Sequence, residues 1–338
     1  MKLFSHSSQL IKLLINIIGI FLIVFSIGVS ISYGATKIDL HIIWQAVFNF
    51  NEGDKAHQVI WELRIPRALA AVLVGAFLAV SGAVMQGMTR NPLASPSIMG
   101  VTDGAAFMLV IILAFYPAVS NIGLIFSSFL GAGVAVTLVF LVGSFSSGGL
   151  TPVKLALAGV AIGTLLRSVS SILSLHFQLE KDIGFWLAGG LDGVGWNEIV
   201  ILLIVGVIGM ALALSIAKSI TVLSLGDDLS TGLGQNNTLI KVSGIVVVLI
   251  LTGVAVSIAG SVGFIGLIIP HITRFIIGTD YRWIIPTTAV FGALLLVNAD
   301  LIARLINAPF ETPVGAITSI IGVPFFLYLA RSSGGDKK

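Results

Sequence analysis

Residues 242–278 read VSGIVVVLILTGVAVSIAGSVGFIGLIIPHITRFIIG, a nearly unbroken apolar run. One membrane crossing takes about 20 apolar residues for roughly 30 Å of hydrocarbon, so two crossings fit this run better than one. Gly260, Gly263, Gly266 and Pro270 punctuate it where a turn between crossings is needed. Outward from this stretch, apolar runs recur at roughly 10–33, 66–88, 98–117, 122–143, 153–177, 197–217, 241–262, 263–278, 283–306 and 313–331. The chain therefore reads as an all-α membrane protein with about ten transmembrane helices.

Composition points the same way. Hydrophobic residues make up 57% of the chain and charged residues 10%, against about 25% charged in an ordinary soluble domain. So few charges do not cover a soluble surface of this size, and lipid has to do the covering. Ten spans with short loops use up the 338 residues and leave no room for a soluble catalytic domain. The 38 glycines suit helices that pack backbone to backbone. Cysteine is absent, which excludes disulfides and thiolate metal sites. The small net charge of +3 is no nucleic-acid footprint. The basic start, Met1 to Lys12, precedes a long apolar run and is read as an uncleaved first helix.

Lysine and arginine set the orientation. With both termini cytoplasmic, the inner side holds Lys2, Lys12, Arg90, Lys154, Lys218, Lys241, Arg274, Arg282, Arg331, Lys337 and Lys338. Residues 34–62 and 178–196 then lie outside, and the acidic Asp39, Glu52, Asp54, Glu62, Glu180, Asp182, Asp192, Glu198 and Glu311 fall on the outer side. Arg64, Arg67 and Arg304 run against the trend at outer helix ends. Arginine matches carboxylates bidentately, so these three ask for an acidic partner. The alternatives are snorkelling to lipid phosphates and retention by Asp300 or Glu311, which lie close to Arg304 in sequence.

The chain also repeats itself. Gly75, Ala79, Gly82, Val84, Pro92 and Gly100 recur as Gly253, Ser257, Gly260, Val262, Pro270 and Gly278 at one offset of 178. Thr151-Pro152-Val153 recurs as Thr312-Pro313-Val314. Halves of about 1–178 and 179–338 with five spans each insert with opposite topology, the inverted-repeat design of many transporters. The two halves form one transmembrane domain.

Charges inside hydrocarbon mark bundle interiors or aqueous paths. Asp103 and Arg167 are such charges, and Ser168, Ser171 and Ser174 follow Arg167 as a hydroxyl-rich strip. The strip suits a polar ligand's path. Equally, serines bond back to the i−4 carbonyl and Arg167 pairs with a carboxylate. The polar stretch 218–241 contains LGDDLSTGLGQNN and suits two short helices along the membrane surface. His176 and His271 stand on separate elements and make no metal site.

Arg64-Ile65-Pro66-Arg67, Val74-Gly75, Ser81 to Gln86 and Asn91-Pro92-Leu93-Ala94 together resemble the signature of iron-siderophore and cobalamin importer permeases of FecCD type. Leu155–Gly163, Gly260–Arg274 and Ala299–Gly315 extend the resemblance over about residues 60 to 330. One departure is Gly190 in WLAGGLDGVGW, where many siderophore members carry serine. The resemblance implies a subunit that pairs with a second, identical or similar permease chain in the cytoplasmic membrane of a bacterium. Two cytoplasmic ATPase subunits and an extracytoplasmic binding protein complete the importer, and an iron(III)-siderophore of hydroxamate type is the expected cargo. Haem or cobalamin is the alternative within the family. It further implies ATPase coupling through Gly226, Asp227, Asp228, Gly232 and Gly234, and a cytoplasmic gate at Asn91, Pro92, Leu93, Thr151 and Pro152. Binding-protein docking falls on Arg64, Arg67 and Arg304, and the translocation path on Arg167, Ser168, Ser171 and Ser174. The chain has no P-loop GxxxxGK[ST], so ATP and Mg belong to the partner, and this chain is expected to hold no cofactor and catalyse nothing. An ion-coupled carrier using Asp103 and Asp300 is the reading from another class.

Overall fold

The computed structural model describes residues 2–34, 38–144, 152–308 and 310–335, and among them helix is the only regular structure. Seven helical segments are long and apolar enough to cross a membrane: Gln9–Ser32, Lys55–Thr89, Asn121–Gly143, Val153–His176, Trp196–Ser224, Asn237–Ala259 and Tyr281–Ile306. Three shorter apolar helices, Val101–Phe115, Ile265–Ile277 and Val314–Tyr328, occupy the remaining apolar runs. In chain order the α-helices are α1 (Lys2–Ser32), α2 (Leu40–Phe48), α3 (Lys55–Gln58), α4 (Ile65–Thr89), α5 (Val101–Phe115), α6 (Asn121–Ser144) and α7 (Pro152–His176). They continue as α8 (Glu180–Ala188), α9 (Trp196–Ser224), α10 (Asp227–Gly232), α11 (Asn237–Ala259), α12 (Ile265–Ile277), α13 (Tyr281–Ile306) and α14 (Val314–Gly335). A π-helical turn, Val59–Arg64, joins α3 to α4, and a 3-10 turn, Pro96–Met99, precedes α5.

Helix α4 is the hub, because small residues let its neighbours reach its backbone. A Cβ on Gly75 would meet the Gly292 carbonyl of α13, and one on Gly82 would meet Gly266 of α12. In lipid no hydrophobic force drives helices together, so such close approach and interhelical hydrogen bonds do the work. Paired contacts also give directions. Asn16 bonds Thr287, Asn298 bonds Ser26, and Arg304 bonds Ser30, so α1 and α13 run parallel. Thr252 of α11 bonds Ser81, while Gly244 lies against Met88, so α4 and α11 run antiparallel.

The break in the 242–278 run falls where its glycines predict, with α11 ending at Ala259 and α12 starting at Ile265. Gly260 caps α11 at φ 64°, and a Cβ there would strike the Trp186 carbonyl. Within α12, Pro270 cannot bond the Gly266 carbonyl four residues back. The buried Gln86 amide donates to Gly266 O and Leu267 O, both at 3.2 Å, and its oxygen accepts from Arg274 at 2.5 Å. Helix α5 is about 22 Å long at 1.5 Å per residue. Irregular backbone before it needs protein cover, which fits the burial of Ala94, Pro96 and Met99. The two TPV segments share a role, since Pro152 opens α7 and Val314 opens α14. The offset-178 pairs differ locally: Gly82 is interior to α4 and Gly260 is a cap, while Pro92 sits in a turn and Pro270 inside a helix.

Candidate functional site

Where α1 and α13 end and α4 begins, the three arginines have partners inside the chain. Arg64 Nη1 donates to the carbonyls of Ile31 (2.6 Å) and Ser32 (3.2 Å). Arg304 reaches Ser30 O (3.1 Å), Ser30 Oγ (2.6 Å) and Tyr33 O (3.2 Å). Ser30, Ile31 and Ser32 carry orphan carbonyls of the last turn of α1, and the negative end of that helix favours cations. Both side chains are buried. Asp300, fully buried, ion-pairs with Arg304 Nε at 3.1 Å and with Arg67 Nη2 at 3.0 Å. Arg67 also holds the half-exposed Glu311 at 2.6 Å. The premise that these charges lack a partner within the chain therefore does not hold. The chain's own carboxylates and the end of α1 compensate them. Of the three, only Arg67 borders a cavity of about 290 Å³ at this end of the bundle, together with Trp186, Gly190, Asp192, Glu311 and Thr312.

Three backbones meet under that cavity. Gly190 N donates to Ala259 O (3.0 Å), Ser261 N to Trp186 O (3.4 Å) and Gly315 N to Gly189 O (3.5 Å). Gly189 has φ 74°, and a Cβ on it would lie 2.5 Å from Ser261 O. A Cβ on Gly190 would meet only the Asp192 carboxylate. The second glycine of the pair thus has room for a side chain once the Asp192 carboxylate moves, and the first does not.

At the opposite end of the bundle, α9 continues to Ser224 and α11 begins at Asn237, so the predicted segment 218–241 holds one short helix, α10, where two were expected. Gly226 (φ 133°) and Gly234 (φ 81°) bracket it in conformations that side chains avoid. Asp227 turns inward: its Oδ2 accepts from Arg90 Nη2 (3.3 Å) and Lys241 Nζ (3.2 Å). Its carbonyl accepts from Asn237 Nδ2 at 3.0 Å. Asp228 and Gly232 face solvent. Leu225, Leu229 and Leu233 lie exposed four residues apart. Arg90 is the left-handed C-cap of α4, so α10 is tied to the end of α4 and to the turn that follows. In that turn Leu93 N donates to Asn91 Oδ1 at 2.9 Å and Ala94 N to Asn91 O at 3.1 Å. Pro92 borders a cavity of about 230 Å³ with Gln86, Gly87, Arg90 and Tyr281. Thr151 lies outside the described residues, and Pro152 is the first residue of α7.

Between the faces, Arg167 of α7 meets Asp103 in the first turn of α5 at 2.8 and 3.1 Å. Ser168 and Ser171 bond back to Thr164 O and Arg167 O at 2.9 Å each. Back-bonding and carboxylate pairing are thus the geometry present, yet Arg167, Ser168 and Ser171 remain on the exposed face of α7. Ser174 is buried, and its hydroxyl has no hydrogen-bond partner among the described residues. With Ser170, Ser171, Asp103, Arg167 and Glu180 it lines a cavity of about 240 Å³. Sequence reasoning did not foresee the bridge from Gln86 to Arg274 or the partnership of Asp227 with Arg90, although Gln86 and Arg274 lie in the motif blocks quoted above. No group of three or more His, Asp or Glu side chains suited to a metal occurs among the described residues.

Residues 21–332 match the FecCD transport family. The chain is 58% identical to the Iron(3+)-hydroxamate import system permease protein FhuB of Bacillus subtilis (strain 168), over 94% of this chain and 83% of that protein. It is 45% identical to the Iron-uptake system permease protein FeuB of the same organism, over 94% of this chain and 95% of that one. A solved structure described as an inward-facing conformation of a metal-chelate type ABC transporter superposes with a TM-score of 0.82 at 30% identity, covering 94% of this chain and 99% of that chain. The protein belongs to the FecCD transport family.

Proposed function

We propose that this chain is the transmembrane subunit of an ABC importer that carries an iron(III)-siderophore of hydroxamate type across a bacterial cytoplasmic membrane. The observation that carries the substrate class is the 58% identity to a hydroxamate import permease across nearly the whole chain. Ten crossings in two inverted halves, with both termini inside, accommodate the seven long and three shorter apolar helices. The parallel run of α1 with α13, the first and ninth crossings, and the antiparallel run of α4 with α11 agree with that count. Two such chains, alike or similar, enclose a path that Arg167, Ser168, Ser171 and Ser174 border.

Energy enters from two ATPase subunits that hold ATP and Mg, and this chain holds neither. Helix α10 is the coupling element: Leu225, Leu229 and Leu233 offer an apolar row and Asp228 a free charge, while Asp227 braces the helix from behind. The extracytoplasmic binding protein docks over the 290 Å³ cavity on the outer side, where Arg67, Asp192 and Glu311 are the lining charges and Arg64 and Arg304 hold the platform. An ion-coupled carrier is disfavoured because Asp103 and Asp300 are both committed to arginines. The test is ATP hydrolysis by the reconstituted complex. Loaded binding protein should raise the rate, and a complex whose rate ignores it would refute the reading.

A further inference from the structure

Helix α2 sorts its side chains three ways. At 3.6 residues per turn, Ile42, Ile43 and Ala46 fall on one arc and pack with Ile31 of α1, Ile60 of the π-helical turn and Ala68 of α4. His41 and Gln45 share a second arc, exposed and bonded to each other at 3.4 Å. Leu40, Trp44, Val47 and Phe48 fill the third, and Leu40 is 72%, Trp44 63% and Phe48 62% exposed. A helix at a water–protein boundary needs two faces, polar and apolar. A third face, apolar and uncovered, is what a helix needs when protein, water and hydrocarbon meet along its length.

Its surroundings fit that position. The core beneath α2 joins the outer end of α1 to the start of α4, so α2 lies level with the outer ends of two spans. Trp44 stacks on Phe48 at 4.3 Å. Phe50, Trp61 and Trp196 extend an aromatic row at the same level, with centroids 6.3 and 5.5 Å apart. Tryptophan collects at membrane–water interfaces because its ring is amphipathic. Between α1 and α2 a groove of about 500 Å³ opens, with Phe25, Gly28, Val29 and Leu40 as its apolar walls and Tyr33 and Asp39 at its polar end. The groove is continuous with the exposed apolar side of α1 at Phe21 and Val24.

We propose that α2 lies in the outer leaflet interface and that the α1–α2 groove holds the acyl chain of a phospholipid from that leaflet. The site is an interaction surface of this chain for lipid, separate from docking, coupling and the path. A soluble partner would not need the polar arc of His41 and Gln45 left as a water-facing edge beside the apolar one.

The absence of native cysteine allows a clean test. Single-cysteine variants Trp44→Cys, Val47→Cys, His41→Cys and Gln45→Cys, nitroxide-labelled in the whole transporter, are placed in phosphatidylcholine–phosphatidylglycerol vesicles. Collision with oxygen, which concentrates in hydrocarbon, is compared with collision with a water-soluble nickel chelate. Oxygen should dominate severalfold at 44 and 47 and nickel at 41 and 45. Phe48→Cys replaces Trp44→Cys if that variant fails to insert. Equal nickel access at all four sites would overturn the proposal, as would shielding of 44 and 47 that appears only when the binding protein or a second permease chain is added. For the groove, Gly28→Leu adds a side chain where a Cβ meets nothing within 4 Å, so folding should survive. The purified variant should retain one phospholipid fewer per chain by native mass spectrometry, and an unchanged lipid count would remove the groove from the proposal.

Discussion

Asp300 is a fully buried carboxylate shared by two guanidiniums, and that single residue decides how the outer face is built. Breaking a buried pair by removing one partner costs about 3–5 kcal/mol, because the remaining charge is left uncompensated. Asp300→Asn, which leaves Arg67 and Arg304 facing each other, should therefore lower thermal stability in detergent severely and loosen α1. Glu311→Gln, at a half-exposed pair, should cost about 0–1 kcal/mol. Comparable melting shifts for the two variants would contradict the assignment of Asp300 as the keystone. The glycine pair offers a second contrast. Gly189→Ser forces a strained φ, worth about 1–3 kcal/mol, and a clash with Ser261 O, so folded yield should drop. Gly190→Ser should keep folding and transport, since only Asp192 has to move. The charge-rule violation at Arg64, Arg67 and Arg304 was legible in the sequence, as was the option that Asp300, four residues away, holds Arg304; the rest of its resolution was not. Arg67 and Asp300 lie 233 residues apart, and the α1 carbonyls that take Arg64 and Arg304 are main-chain groups no composition reveals.

Helix α10 is stiff because Asp227 anchors it to both α4, through Arg90, and α11, through Lys241. On the coupling role proposed above, a push on α10 would be passed through the Asp227–Arg90 pair to the turn at Asn91–Leu93. Asp227→Lys should leave the chain in the membrane and its stability nearly unchanged, since exposed pairs contribute about 0.2–1 kcal/mol, yet reduce substrate-stimulated ATP hydrolysis strongly. Adding Arg90→Glu should restore part of that stimulation by re-forming the pair in reverse. Failure of the double variant to recover any of it would mean that Asp227 acts on the ATPase directly. Topology has its own test: a cysteine at Asn236 should resist an impermeant maleimide in intact cells, and one at Gln178 should react. Among the elements, the long apolar helices and the break at 260–264 were legible because length and glycine placement determine them. Helix α2 was not, because nine residues give too short a pattern against the louder spans around it. The second surface helix expected in 218–241 does not form because α9 carries its helix through Ser224 and Asn236 caps α11 at once, its side chain accepting from Leu239 N at 3.0 Å.

Taken whole, the molecule places the Asp300 ion pairs at one end of the bundle and the Asp227 pairs at the other, and leaves a polar strip exposed on α7 between them. Arg167 is 70% exposed although Asp103 holds it, so its uncovered side needs an aqueous path or a second chain rather than lipid. Family and architecture were readable from motif order and apolar length together. The pairing of distant faces was not, since it depends on close backbone approaches such as Gly75 with Gly292. The central claim is ATP-driven import of an iron(III)-hydroxamate. The most direct test is uptake of radiolabelled iron by a strain lacking this chain, supplied as a hydroxamate chelate, a catecholate chelate or haem, with labelled cobalamin in parallel. Uptake of the hydroxamate chelate alone should be lost and return with the wild-type chain, and it should fail when the P-loop lysine of the partner ATPase is replaced. Undiminished hydroxamate uptake without the chain, or uptake that persists with the disabled ATPase, would contradict the account.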